Sequence, residues 1–271
     1  MLFYNANFVQ KSRLDPPPLV IPGSTTVLGL PVHPIDLARA VQIGVRAVAE
    51  GRRLRIAVTN ANKCYLAARD PELRAFLEGA DLVVPETAVV WGARVLGRQG
   101  VAPVWGAVLA GELLAQADRL GWSVYLVGAR AEICDRAAAV VRTRFPGLNL
   151  AGHHHGYLSD PATRAAVVGD LVRVRPDLLL VGMGSPVQER FLAGLPDDAA
   201  PRISIGVGGT FDVLAGVREA APTWIRGTGF EWLWRSAQDP RKLARYLVVN
   251  PWFVGAVLRE RLLGPPGESS L

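Results

Sequence analysis

Lysine is nearly missing from this 271-residue chain. Of its 30 basic residues only Lys11, Lys63 and Lys242 are lysine, and the other 27 are arginine. Cysteine is as scarce: Cys64 and Cys134 stand far apart with no ligand-like spacing. That excludes a disulfide framework and a zinc site, and it suits a reducing compartment. No run of about 18 apolar residues occurs, which argues against a transmembrane helix. The longest, 246–258, is broken by Asn250 and Pro251. No charged start followed by an apolar core marks a secretory signal. Walker A and early GxGxxG sequences are also missing, so the common nucleotide fingerprints are absent. Charged residues make up only 20% of the chain and hydrophobic ones 50%, which excludes a disordered or fibrous protein.

What is present is basic. The net charge is +6, and half of that excess falls from Arg226 onward, among Trp232, Trp234, Trp252 and Phe253. A basic, aromatic-rich end points to phosphates or an anionic membrane surface. Packing of these aromatics on the body, or in a homo-oligomer interface, is the alternative. No basic stripe with interleaved aromatics forms a nucleic-acid module, so nucleic acid is not an expected partner.

The chain divides into an extended, proline-rich arm (1–24), an α/β body (25–225) and a helical C-terminal appendage with a polar tail (226–271). In the body, short apolar runs at 55–58, 81–84, 123–127, 149–151, 178–181 and 203–207 read as strands buried on both faces. Helical spacing fills 35–50, 62–77, 87–96, 109–119, 131–145 and 161–174. Asp160-Pro161 is a helix start, with a capping residue before proline at the first turn. Strand–helix alternation predicts a Rossmann-like, mostly parallel sheet flanked by helices.

Ligands in such sheets bind beyond the carboxyl ends of the strands. Polar and glycine residues collect there: Thr59-Asn60, Pro85-Glu86-Thr87, the histidines 153–155, Gly182-Met-Gly-Ser-Pro-Val-Gln-Glu189 and Gly206-Val-Gly-Gly-Thr210. The glycine runs let backbone amides, near Gly184 and Gly208, approach a ligand. Gln188 both donates and accepts, as recognition of a sugar or uracil edge requires. Glu86 is a general base by position, or else an acid at a helix start. Adjacent histidines on a strand point to opposite faces, so a three-histidine metal site is not expected, and His155 is retained as a substrate hydrogen-bonder.

With those segments go Asp70-Pro-Glu-Leu73, Ala80-Asp-Leu-Val-Val-Pro85, Val89-Val-Trp-Gly-Ala-Arg94, His155-Gly-Tyr157, Ala221-Pro-Thr-Trp224, Glu231-Trp-Leu-Trp-Arg235 and Asp239-Pro-Arg241. In order and spacing the sequence resembles the WecG/TagA/CpsF family of bacterial glycosyltransferases, from about residue 28 to 261. The resemblance implies an inverting, metal-independent transfer of a sugar from a UDP donor to a polyprenyl-diphosphate-linked sugar in exopolysaccharide or other surface-polysaccharide synthesis. It implies no cofactor, and peripheral attachment to the cytoplasmic face of the plasma membrane. By that resemblance Glu86 is the catalytic base, standing where the family has an aspartate. The resemblance likewise implies that Asn60, with Thr59 beside it, and Gln188 bind substrate, and that Arg235, Arg241 and Arg245 close on the donor diphosphate; His155, Gly184, Ser185, Gly208, Gly209 and Thr210 join the expected binding set by their place at the strand ends. An Arg-x-x-Gly-x-Asp sequence of the family falls on Pro103, Gly106 and Val108, without its charges. A catalytically altered sugar-nucleotide-binding protein and a nucleotide-sugar oxidoreductase or epimerase are the competing classes; the missing GxGxxG counts against the latter.

Overall fold

The computed structural model describes residues 20–218 and 241–265. A hairpin of β1 (Thr25–Val27) and β2 (Leu30–Val32) comes first. The body follows as α1 (Leu37–Ala49), β3 (Leu54–Thr59), α2 (Ala61–Ala67), α3 (Pro71–Glu78), β4 (Leu82–Pro85), α4 (Thr87–Val95), α5 (Gly106–Leu120) and β5 (Ser123–Gly128). It continues through α6 (Ala131–Arg144), β6 (Asn149–His154), α7 (Pro161–Val174), β7 (Leu178–Gly182), α8 (Val187–Ala193), β8 (Ile203–Gly206) and α9 (Thr210–Leu214), and α10 (Arg241–Leu263) comes last. Among the described residues no helix is long and apolar enough to cross a membrane.

Six strands form one parallel sheet in the order β4-β3-β8-β7-β5-β6. Successive residues of a strand face opposite sides. Leu54, Ile56 and Val58 of β3 join a core beneath α1, α5, α6 and α9, whereas Ala57 joins the core beneath α2, α3, α4, α7, α8 and α10. Helices therefore cover both faces, which explains why the strands are apolar throughout rather than alternating.

Helix starts follow local chemistry. Asp36, Asp70 and Asp160 each cap a helix by accepting a hydrogen bond from a backbone amide two or three residues on, and proline fills the first turn of α3 and α7. Asp70-Pro71 thereby splits the single helix expected over 62–77 into α2 and α3. The hairpin, absent from the sequence-based strands, turns through Leu28 and Gly29 at φ 54° and 74°. A leucine in left-handed backbone is uncommon; here its amide donates to Glu260 Oε2 at 2.8 Å. His33, next after β2, covers the free edge of β4: its amide donates to the Val83 carbonyl, and its Nδ1 accepts from the Val83 amide at 2.9 Å.

The C-terminal helix packs on the body. Val249, Phe253 and Val257 are buried in the core shared with α2 and α4, and Trp252 meets Tyr65 edge-on at 5.2 Å. Phe253, expected among membrane-facing aromatics, is only 2% exposed, because Trp91 and the face of α4 at Gly92 close over it. Trp224, Trp232 and Trp234 lie outside the described residues.

Candidate active site

The sheet register brings the expected segments to one edge. Thr59 on β3 pairs with Pro85 on β4, and Val181 on β7 with Gly206 on β8, so Asn60, Glu86, Gly208 and Gly184 all emerge from four adjacent strand ends. The Glu86 amide donates to the Thr59 carbonyl at 2.8 Å, fixing the two strand ends together.

Glu86 occupies the capping position of α4, yet its side chain makes no cap hydrogen bond. Its Oε2 accepts from Asn60 Nδ2 at 3.1 Å instead. Its Oε1 takes no hydrogen bond among the described residues. Asn60 in turn accepts from the Lys63 amide at 3.0 Å, capping α2. One side-chain amide thus starts a helix and holds the carboxylate of the half-buried Glu86 by one oxygen.

The rest of the cluster looks inward. Gln188, 2% exposed, accepts on Oε1 from the amides of Gly184 at 3.2 Å and Gly208 at 3.0 Å, and its Nε2 donates to Glu189 Oε1 at 2.8 Å. It ties the β7 and β8 loops together, and the Gly184 and Gly208 amides, expected to approach a ligand, have Gln188 as their acceptor. Space at Gln188 is minimal, since a Cβ at Gly206 would stand 2.5 Å from Nε2. Other expected ligands are also engaged internally. Ser185 Oγ donates to Glu189 at 3.0 Å, Thr210 Oγ1 to the Val207 carbonyl at 2.7 Å, and the buried Thr59 hydroxyl lies 3.9 Å from Cys64 Sγ. Gly209 remains exposed at the tip of the β8 loop.

Two residues that the sequence did not single out organise this cluster. Lys63 Nζ lies 2.8 Å from Glu189 Oε1, with side chains 6% and 1% exposed. Burial alone would push the Glu189 pKa up, but Lys63, Gln188 and Ser185 together bring it below the ordinary carboxylate value. Oε1 carries all three contacts, while Oε2 is buried and unpartnered. A polar chain therefore runs from Glu86 through Asn60, Lys63 and Glu189 to Gln188 and both glycine loops. The available signal was slight: Lys63 is one of three lysines, four residues after a strand end. Cys64 is no nucleophile, since burial pushes its pKa up to about 12.

His155 is not part of this group. It follows β6, five strands from β4, so roughly 24 Å separates it from Glu86. The neighbouring histidines have local partners: His153 meets Asp135 at 3.0 Å, and His154 Nδ1 meets the His155 carbonyl at 2.8 Å.

Helix α10 approaches the same edge. Phe253 lies against Trp91 and Gly92, and Arg261 against Gly97, so α10 runs parallel to α4. Going back, Arg245 is about 12 Å before Phe253 and Glu86 about 7.5 Å before Trp91 at 1.5 Å per residue. Arg245 therefore stands near the level of Glu86, exposed, with its guanidinium 5.5 Å from the Tyr246 ring centre. Arg241 opens α10, but its side chain lies outside the described residues, as does the whole of Arg235.

The family model for the glycosyl transferase WecG/TagA/CpsF family matches residues 25–266. The chain belongs to that family. It is a glycosyltransferase, as its motifs implied. Similar curated proteins are N-acetylglucosaminyldiphosphoundecaprenol N-acetyl-beta-D-mannosaminyltransferases of Bacillus. That of Bacillus subtilis (strain 168) is 27% identical over 206 residues, covering 76% of this chain and 79% of its own. That of Bacillus spizizenii (strain ATCC 23059 / NRRL B-14472 / W23) is 29% identical over 213 residues, covering 78% and 81%. In this WecG/TagA/CpsF member the segment from Pro103 to Val108 borders the strand end that carries Glu86. The Val104 amide donates to the Pro85 carbonyl at 2.8 Å, and Trp105 Nε1 to Thr87 Oγ1 at 3.2 Å. The Trp105 indole thus sits against the residue that follows Glu86.

Proposed function

We propose that this glycosyltransferase moves a sugar from a UDP-sugar to a sugar carried on a polyprenyl diphosphate, with inversion and without a metal, in the synthesis of a surface polysaccharide. The observation that carries the proposal is the Glu86 carboxylate, aimed by Asn60 and open at Oε1. The names of the curated relatives, which act on a diphosphoundecaprenol-linked acceptor, supply the substrate class.

In this mechanism Glu86 takes the proton of the acceptor hydroxyl as that oxygen attacks the anomeric carbon, and UDP leaves from the opposite face. Charge growing on the leaving diphosphate needs fixed cations. Arg245, carried to the catalytic edge by α10, is one, and Arg235 and Arg241 complete the set. Guanidinium groups suit this because they bind phosphate oxygens in pairs. Gln188 and Glu189 hold the loops whose exposed tip, at Gly209, faces the donor side.

The enzyme sits peripherally on the inner face of the membrane, attached through α10. Leu247, Val254, Leu258 and Leu262 of that helix are 62, 41, 46 and 81% exposed and lie along one side of it, with Arg259 and Arg261 nearby. Such a face fits an anionic lipid interface.

Glu86→Gln is the test. It should lower transfer about 10²- to 10⁴-fold, the usual worth of a general base, while UDP affinity is unchanged. Full activity would remove Glu86 from the mechanism, and loss of activity with EDTA, restored by a divalent ion, would overturn the metal-free account. Mass spectrometry of lipid-linked products from a panel of UDP-sugars identifies the transferred sugar.

A further inference from the structure

A cavity of about 520 Å³ lies between α10, the turn of the β1–β2 hairpin and the outer side of α2. Its size falls in the range of ligand pockets, roughly 300–1,000 Å³. Leu28, Leu30, Ala68, Trp252, Ala256 and Leu263 make most of its wall apolar, and its charged residues are Arg74, Arg259 and the buried Glu260, whose Oε2 accepts from the Leu28 amide. It is not the catalytic pocket, but it starts close by: Cys64, one turn along α2 from Asn60, contributes to the wall. From Trp252 to Pro265 it extends roughly 20 Å along α10, away from the catalytic edge.

The faces of α10 show what the cavity opens onto. At about 100° per residue, Val249, Phe253 and Val257 form the side buried on the body. Trp252, Gly255, Ala256, Arg259 and Leu263 form the adjoining side, along the cavity. Val254, Leu258 and Leu262 form the third side, exposed and apolar. Leu262 is seven residues from Gly255 and so only about 20° from it around the helix. The cavity is therefore continuous with the face assigned above to the membrane. An apolar trough that starts one turn from the catalytic residues, runs along the membrane helix and opens at its lipid-facing side is shaped for a chain that enters from the bilayer.

We infer that this cavity holds the proximal isoprene units of the acceptor lipid, so that the enzyme recognises the chain as well as the sugar. The inference rests on the lipid-linked acceptor proposed above. Its consequence is a dependence on chain length: each buried methylene adds to affinity, and a few of them amount to tenfold or more.

Gly255 allows a clean perturbation, because a Cβ built there meets nothing within 4 Å. Gly255→Phe would put a ring into the cavity without crowding the backbone, and it replaces a poor helix former with a better one. Ala68→Phe fills the cavity from the opposite wall. The experiment compares kcat/KM for acceptors with a long polyprenyl chain and with a chain of two isoprene units, in the same detergent. The wild type should prefer the long chain by about tenfold or more, and either variant should collapse that ratio. A polyprenyl-diphosphate acceptor bearing a diazirine in its first isoprene units should label residues 252–264 or 28–30, and Gly255→Phe should abolish that label. Equal use of both chains, labelling outside these segments, or labelling displaced better by a phospholipid than by polyprenyl phosphate would overturn the inference while leaving the acceptor assignment in place. No transfer by the wild type to any lipid-linked acceptor would instead overturn the acceptor assignment, and this inference with it.

Discussion

Replacing Lys63 by methionine tests the polar chain behind the candidate site. The substitution keeps most of the side-chain volume and removes the cation 2.8 Å from Glu189. Glu189 is 1% exposed and its Oε2 already lacks a partner, so the variant must bury a carboxylate held only by Gln188 and Ser185. Breaking a buried pair from one side costs about 3–5 kcal/mol. For a chain of this size that lowers Tm by roughly ten degrees, since 1 kcal/mol moves it about 2–4 °C. The pH dependence sharpens the test. In the native protein Glu189 has a depressed pKa, so its contribution is present above the ordinary value of 4.5 and is lost as pH falls through the lower folded value. In the variant burial without the cation raises the pKa, and protonation makes the carboxyl cheaper to bury. The gap in Tm between the two proteins should therefore be widest near neutral pH and close as pH falls below about 5. Adding Glu189→Leu to the variant should recover most of the stability, because a buried pair replaced by apolar groups is often neutral. Thermal unfolding followed by circular dichroism reads all of this. An unchanged Tm for Lys63→Met at neutral pH, or a gap independent of pH, would refute the argument.

Three further outcomes are expected. Gly206→Ala must push Gln188 aside, since its Cβ would stand 2.5 Å from Nε2; kcat/KM should fall about 10²-fold, from misplacement of loops on the order of an ångström, with a smaller loss of stability in thermal melts. His33 is held neutral, with burial lowering its pKa from 6.5 and Nδ1 accepting from the Val83 amide; the unfolded chain takes up that proton first, so stability measured in urea should decline as pH falls below about 6.5, and less so in His33→Gln. Leu258→Glu with Leu262→Glu alters only exposed positions of α10; each should shift folding stability by no more than about 0.5 kcal/mol, yet together they should abolish sedimentation with anionic vesicles.

Most of the sheet was legible because parallel strands buried on both faces carry unbroken apolar runs, and all six were placed within a few residues. The hairpin was not, because three-residue strands containing Pro31 show neither period nor length. Helix α8 hid behind Gly-Ser-Pro, which reads as a loop. The split between α2 and α3 was available in Asp70-Pro71, the same cap and proline that correctly started α7 at Asp160-Pro161. At the candidate site, strand-end position was enough to place Glu86, Asn60 and the glycine loops along one sheet edge. It could not distinguish a side chain that faces a ligand from one that faces its neighbour. The partners of Gln188, Gly184 and Gly208, were hidden for that reason: they are set by the pairing of β7 with β8. Lys63 and Glu189 are 126 positions apart, and nothing local to either points to the other. The register of histidines was equally opaque, because only the strand order shows that β6 and β4 are opposite edges.

The hydrogen bond from Leu28 to Glu260 joins residues 232 positions apart. At 5–20 residues per second, a ribosome needs roughly ten to fifty seconds to make the chain between them. The hairpin turn exists for that whole interval without the helix whose Glu260 caps it. Docking of α10 is thus a late step of biosynthesis: its buried face, at Val249, Phe253 and Val257, meets a body whose sheet is already made.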